Sequence, residues 1–202
     1  ILRPGPRSDV SNYGPLSLTS VACKVLEHVI YASIVEHMKK YSLFTPQQHG
    51  FRRGFCCTTQ LTEFTHDIAY ALDKRRTIDF NFLDFKKTFD TLPHRLLLEK
   101  VTMYGNNSQV IAWVAHYSTL GQQTVIVNGA SECASQATLG GPQGSVLGPL
   151  LFPIYVNDIT KGVESHIQLF ADDCVFYRKM TNSRDKEFIH RHLAKICDWC
   201  TR

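Results

Sequence analysis

The 202-residue sequence lacks the features that would make it a membrane, secreted or repetitive protein. No uninterrupted apolar run approaches the roughly 18 residues that a membrane-spanning helix needs, and no signal pattern opens the chain. The seven cysteines are odd in number and lack the dense, regular spacing of a disulfide scaffold, which favours a reducing intracellular compartment. The CxxC at Cys197 and Cys200 has no second pair at zinc spacing. Beside Trp199 in a helical tail, it reads as two half-buried packing thiols. A net charge of +4 is too small to identify a nucleic-acid binder by itself. No internal repeat or low-complexity segment is present.

The content that remains is that of a globular chain. With 44% hydrophobic and 11% aromatic residues, it can bury a core as one domain or two small lobes. Arg3, Arg7, Lys24, Lys39, Lys40, Arg52 and Arg53 outnumber the acids of the first 60 residues, and further basic groups cluster at Lys74–Arg76 and at Lys86 and Lys87. The chain starts at Ile1 and stops at Arg202 inside a helical pattern, so it reads as an internal piece of something longer.

Residues 1–15 hold three prolines and two glycines, which predicts loop or short extended structure. From Leu16 to Tyr41, Val21, Val25, Leu26, Val29, Ile30, Ile34, Val35 and Met38 recur at three- and four-residue steps, predicting a helix capped by Ser17 or Thr19. A second helix is predicted from Thr58 to Lys74, with Leu61, Phe64, Ile68 and Leu72 on one stripe. Between them, Gln48–Gly54 is a glycine-bounded basic turn. Residues 77–85 alternate and then become apolar around Asp84, predicting a strand that ends in the interior. Helices follow at 94–104 and 107–120, then a strand from Gln123 into an Asn128-Gly129 hairpin turn. Leu139–Ser145 is a flexible loop leading into a helix capped near Ser145. The last hairpin, His166–Tyr177, turns at Asp172 and Asp173. A few strands with segregated helices make the fold class α+β.

Adjacent aspartates inside an apolar run lose hydration on burial unless something neutralises them. Asp172 and Asp173 meet this description, as does Asp84, and no equally placed Lys or Arg pairs with them. Hard divalent cations take oxygen ligands, and Mg²⁺ sites commonly use one or two carboxylates plus substrate phosphates. Two such ions serve phosphoryl transfer, which is polymerase chemistry.

The wording of these segments is specific. Phe170-Ala171-Asp172-Asp173 resembles the FADD signature of LINE-type (non-LTR) reverse transcriptases, and Leu83–His94 resembles their LDFxKAFDTxxH motif. Gly141–Phe152 resembles PQGSVLGPLLF and continues into Tyr155–Ile159, while Ser11–Leu18 and Gly50–Gly54 resemble the two finger motifs. All stand in the family's order and cover nearly the whole chain.

The resemblance implies right-hand polymerase fingers and palm: a small antiparallel sheet carrying the catalytic aspartates, helices packed on one face, and no thumb. A fingers-like region would occupy 1–76, the palm 77–178, and the truncated start of a helical connection 179–202. It implies Asp84, Asp172 and Asp173 as catalytic metal ligands, with the Phe85 carbonyl as an extra one, for two Mg²⁺ or Mn²⁺ ions. Phe89 would be the steric gate against a ribose 2′-hydroxyl, and Gln143, Gly144 and Ala171 would lie against substrate. The partners implied are an RNA template, a DNA primer and deoxynucleoside triphosphates, without a membrane, in the nucleus for the parent element.

Gly14 stands where the family carries a triphosphate-binding arginine, a charge-assisted contact worth about 1.5 to 3 kcal/mol. Arg3, Arg7 and Arg52 are the candidates to replace it. Phe55-Cys56-Cys57-Thr58, Thr88 and Pro153 also depart from the pattern, and Pro153 predicts a helix kink. Rival readings are a decayed copy that binds nucleic acid without catalysis, a group II intron reverse transcriptase, and a viral RNA polymerase. The sequence leaves oligomeric state open.

Overall fold

A computed structural model describes residues 6, 19–85, 91–119, 122–124, 126–127, 130–131, 135–136, 140–141, 144–182 and 184–201. In chain order the elements are α1 (Val21–Lys40), α2 (Cys57–Asp73), β1 (Thr77–Asp84), α3 (His94–Met103), α4 (Ser108–Thr119), β2 (Gln122–Gln123), β3 (Ile126–Val127), β4 (Ala130–Ser131), β5 (Ser135–Gln136), α5 (Gly148–Val156), β6 (His166–Phe170), β7 (Asp173–Met180) and α6 (Arg184–Cys200). They divide into two compact units, Ile1–Leu43 with Lys87–Phe152 and Phe44–Lys86 with Pro153–Arg202.

In the first unit, α1 starts later than its periodicity suggests, because Ser20 supplies the cap: its hydroxyl accepts from the Cys23 N–H at 3.2 Å. Of the anticipated apolar face only Ile34 and Met38 are fully buried, whereas Val21, Val25, Leu26 and Val29 are exposed. The buried side chain in that half of the helix is instead Glu27. The bounds of α3 and α4 follow their periodicity closely, and Leu97, Val101, Val110 and Val114 form their buried positions. The His37 ring donates to the Tyr104 carbonyl at 2.7 Å and ties the last turn of α1 to the end of α3. Val127 pairs with Ala130, the register required by a two-residue Asn-Gly connection. Asn128 and Gly129 themselves lie outside the described residues.

The second unit is built on an antiparallel sheet of order β1-β7-β6. β1 and β7 pair from Thr77 opposite Met180 to Asp84 opposite Asp173, and β6 pairs from His166 opposite Tyr177 to Phe170 opposite Asp173. Phe80, Tyr177 and His166 therefore share one row on one face. There α2 packs, with the Phe64 ring 5.2 Å from Phe80 and 5.5 Å from Tyr177. Asp67 accepts from the Tyr177 hydroxyl and the Lys179 ammonium, each at 2.7 Å. Burial would raise the Asp67 pKa, but these bonds outweigh it and hold the carboxyl below its ordinary range.

The other face meets α6. Arg178 reaches Asp185 at 2.7 Å and lies over the Phe188 ring at 4.3 Å. The helices thus cover both faces and are not confined to one, since β7 buries Cys174 and Phe176 on one side and Tyr177 on the other. Cys197 and Cys200 also differ from expectation, because both are exposed. Trp199 does the packing at that end of α6: it donates to Asp158 at 3.0 Å, and its ring meets those of Tyr155 at 5.3 Å and Phe85 at 6.4 Å. Among the described residues, no helix is long and apolar enough to cross a membrane.

Candidate active site

The carboxylates singled out in the sequence come together at one end of the second unit's sheet. Asp84 is the last residue of β1, and the strand register sets it directly opposite Asp173, the first residue of β7. Directly opposed residues of an antiparallel pair project to the same face with Cβ atoms about 4.5 to 5.5 Å apart. Asp172 adjoins them in the connection from β6. Because Phe170 pairs with Asp173, only Ala171 and Asp172 form that connection. Ala171 alone of the two has positive φ, +55°, the pattern of a II′ hairpin turn, in which glycine normally occupies this place. An alanine there is held at a backbone cost of about 1 to 2 kcal/mol.

Asp84 and Asp173 are exposed and Asp172 is half-buried, so the strand bearing Asp84 ends at the surface and not in the interior. Solvent access removes the desolvation penalty, but the cross-strand like-charge contact remains. Among the described residues none makes a hydrogen bond or ion pair with any of the three carboxylates. On the face away from the carboxylates, burial pushes the Cys174 thiol up to about 12, so this neighbour of Asp173 stays protonated at neutral pH.

The donor chemistry fits a hard divalent cation, since carboxylates from the end of β1 and from the β6–β7 hairpin stand at one end of the sheet and no described arginine or lysine pairs with them. No group of three or more His, Cys, Asp or Glu side chains among the described residues is assembled to hold a metal alone. An ion here would complete its coordination with oxygens from water or substrate.

The hairpin turn is gripped from outside the sheet. Residues 47–49 run beside β6, where the Leu169 N–H donates to the Gln47 carbonyl at 2.9 Å and the His49 N–H donates to the Leu169 carbonyl at 2.8 Å. The fully buried Gln48 side chain accepts from the Ala171 N–H at 3.1 Å and the Gly50 N–H at 2.8 Å, and its amide N–H lies 3.5 Å from the Ala171 carbonyl. Gly50 makes this approach possible: a Cβ there would sit 2.2 Å from the Ala171 nitrogen. His49, also buried, meets Thr59 at 3.0 Å and packs edge-on against Phe55.

Arg52 has a structural task. Its Nη1 donates to the carbonyls of Thr45 at 2.7 Å and Gln48 at 3.0 Å, and its guanidinium lies 4.3 Å from the centre of the Phe55 ring. Phe85 is half-buried with its ring against Trp199. Gly144 belongs to the first unit, exposed and with φ of +96°. Phe89, Gln143, Gly14, Arg3, Arg7 and Thr88 lie outside the described residues.

Also in the first unit, Glu27 accepts from the N–H groups of Val146 at 2.6 Å and Leu147 at 3.2 Å, while the Ser145 hydroxyl accepts from Gly148 at 3.0 Å. The loop that follows Gly144 into α5 is thereby capped twice. Sequence reasoning missed Glu27, Gln48 and Gly50 as positioning groups. The one charge inside the α1 stripe was the available signal for Glu27. Gln48 and Gly50 carried none beyond their place in a glycine-bounded turn.

A small antiparallel sheet with helices packed against it fits a polymerase fold. The chain belongs to the family described as "Reverse transcriptase (RNA-dependent DNA polymerase)", whose model matches residues 4–202. Its curated relatives place it among reverse transcriptase domains of LINE-type retrotransposons. It is 30% identical over its whole length to 23% of the probable RNA-directed DNA polymerase from transposon X-element of Drosophila melanogaster. Over 90% of its length it is 29% identical to 21% of the RNA-directed DNA polymerase from mobile element jockey of Drosophila funebris. The chain thus spans less than a quarter of these relatives. The fold is shared with an apo telomerase from Candida tropicalis at a TM-score of 0.60 and 12% identity, covering 84% of this chain and 36% of that one.

Proposed function

We propose that the chain is the catalytic core of an RNA-directed DNA polymerase that extends a DNA 3′-hydroxyl along an RNA template with deoxynucleoside triphosphates. The observation that carries this reading is the pairing of Asp84 with Asp173 at the mouth of a two-residue turn bearing Asp172. Asp84 and Asp172 would hold two Mg²⁺ ions, replaceable by Mn²⁺, with Asp173 close by and the Phe85 carbonyl as a further ligand. A pair of bound divalent ions would supply Lewis-acid chemistry for the attacking hydroxyl and the leaving oxygen.

The protein's own contribution is placement. Strand pairing fixes Asp84 against Asp173, and the tight turn limits the directions available to Asp172. Phe89 excludes ribonucleotides, and Gln143, Gly144 and Ala171 lie along the nucleotide and template-primer. In the parent element the fingers lie in 1–76, the palm in 77–178 and the start of a thumb connection in 179–202, and synthesis takes place in the nucleus.

Primer extension on an RNA template with Mg²⁺ tests the reading. Asp172→Asn is expected to lower incorporation by about a thousandfold or more, the scale of charge stabilisation by a bound metal. Undiminished incorporation by that variant would remove the assignment. The rival, a copy that binds nucleic acid without synthesis, is favoured by Gly14 at the family's arginine position. Salt-sensitive RNA binding with no incorporation by the unmodified chain would put it ahead.

A further inference from the structure

We propose that Gln48 and Gly50 are positioning residues that set the direction of the Asp172 and Asp173 carboxylates by clamping the backbone of Ala171. The inference rests on reading those aspartates as ligands of a divalent cation.

Three observations converge on Ala171. Its φ is +55°, a conformation that an alanine does not hold without support from its surroundings. One side chain, Gln48, faces both its N–H and its C=O, at 3.1 and 3.5 Å, so a primary amide stands in for the neighbouring strand that the turn lacks. That side chain is itself fixed: it is fully buried, its oxygen also accepts from the Gly50 N–H, and the residue's own carbonyl accepts from Arg52.

Gly50 closes the arrangement. A Cβ there would lie 2.2 Å from the Ala171 nitrogen and 3.0 Å from its Cα, both backbone atoms that cannot swing aside. Any side chain at position 50 would push the turn away from the 47–49 segment. The residue that would move is the immediate neighbour of Asp172. Strand pairing alone cannot do this work, because the ladder ends at Phe170 and Asp173 and leaves Ala171 and Asp172 outside it. The basic turn 48–54 thus serves the acids mechanically, through a neutral amide and a missing methyl group, while its arginine at 52 braces the brace.

Mn²⁺ titration followed by electron paramagnetic resonance, together with amide hydrogen exchange of the whole chain, tests the proposal. In Gln48→Ala, exchange at residues 169–172 is expected to quicken about tenfold and Mn²⁺ affinity to fall about five- to tenfold, the effect of losing one or two hydrogen bonds. Protection in 175–180 should stay unchanged, which a merely global loss of stability would not permit. Gln48→Glu keeps the acceptor for both N–H groups and should fall between the two. That variant decides the question should the alanine variant fail to fold. Gly50→Ala should reproduce the Mn²⁺ defect. Unchanged turn exchange and Mn²⁺ affinity in a folded Gln48 variant would overturn the clamp. Asp172→Asn separates the two ideas: if it leaves Mn²⁺ binding intact, the metal-site reading fails, while the exchange result still decides the clamp.

Discussion

The strand β7 meets acidic side chains near both ends, and the fold treats them in opposite ways. Past its C-terminal end, Asp185 is buried and accepts from the Arg178 guanidinium, the Thr181 N–H and hydroxyl, and the Asn182 N–H, all between 2.7 and 2.9 Å. The Arg178 bond foremost, then those from Thr181 and Asn182, hold its carboxyl far below the usual range. At the N-terminal end, Asp173 faces Asp84 in the open, with no described residue to pair with either. One carboxylate is satisfied by four hydrogen bonds, whereas the other two are set against each other, and on the proposed reading that second pair is kept for a ligand from outside. On that reading, stability is concentrated at one end of the strand and chemistry at the other.

Substitutions can break or sharpen that contrast. The largest effect on folding is expected from Asp185→Ala, which strands the Arg178 charge and should cost about 3 kcal/mol in denaturant unfolding. The same group sets a pH dependence. Because its folded pKa is depressed, its contribution is fully present above the unfolded value of about 3.9 and fades as pH falls toward the folded one. The unfolding midpoint of the native chain should therefore drop more steeply below pH 4 than that of Asp185→Asn.

Glu27→Gln comes next. It weakens charge-assisted bonds to Val146 and Leu147, at an expected cost of about 1 to 2 kcal/mol read by thermal unfolding. The smallest change runs the other way: Asp173→Asn relieves a cross-strand like-charge pair and should stabilise by about 0.5 kcal/mol. Destabilisation by that variant would show that Asp173 supports the fold as Asp185 does, and the contrast would collapse.

Much of this was legible in the sequence where local signals agree. The hairpin carrying Asp172, the strand ending at Asp84 and the Asn128-Gly129 register follow from alternation and turn chemistry, which act over a few residues. The helices on both faces of the sheet, the exposure of Asp84 and the role of Trp199 in place of its flanking thiols depend on which elements meet in space. No local pattern encodes that. The clamp at Gln48 is the clearest case, since its partner is 123 residues away and the segment reads as an ordinary basic turn.

The pairing of β1 with β7 carries a consequence for how such a chain loses function. Side chains alternate from one surface of a strand to the other, so dropping a single residue between Thr77 and Leu83 would leave all three acids in the sequence yet turn Asp84 away from Asp173. The encoded quantity at this site is a count of residues, and a one-codon deletion would undo the pairing while all three aspartates remained in the sequence.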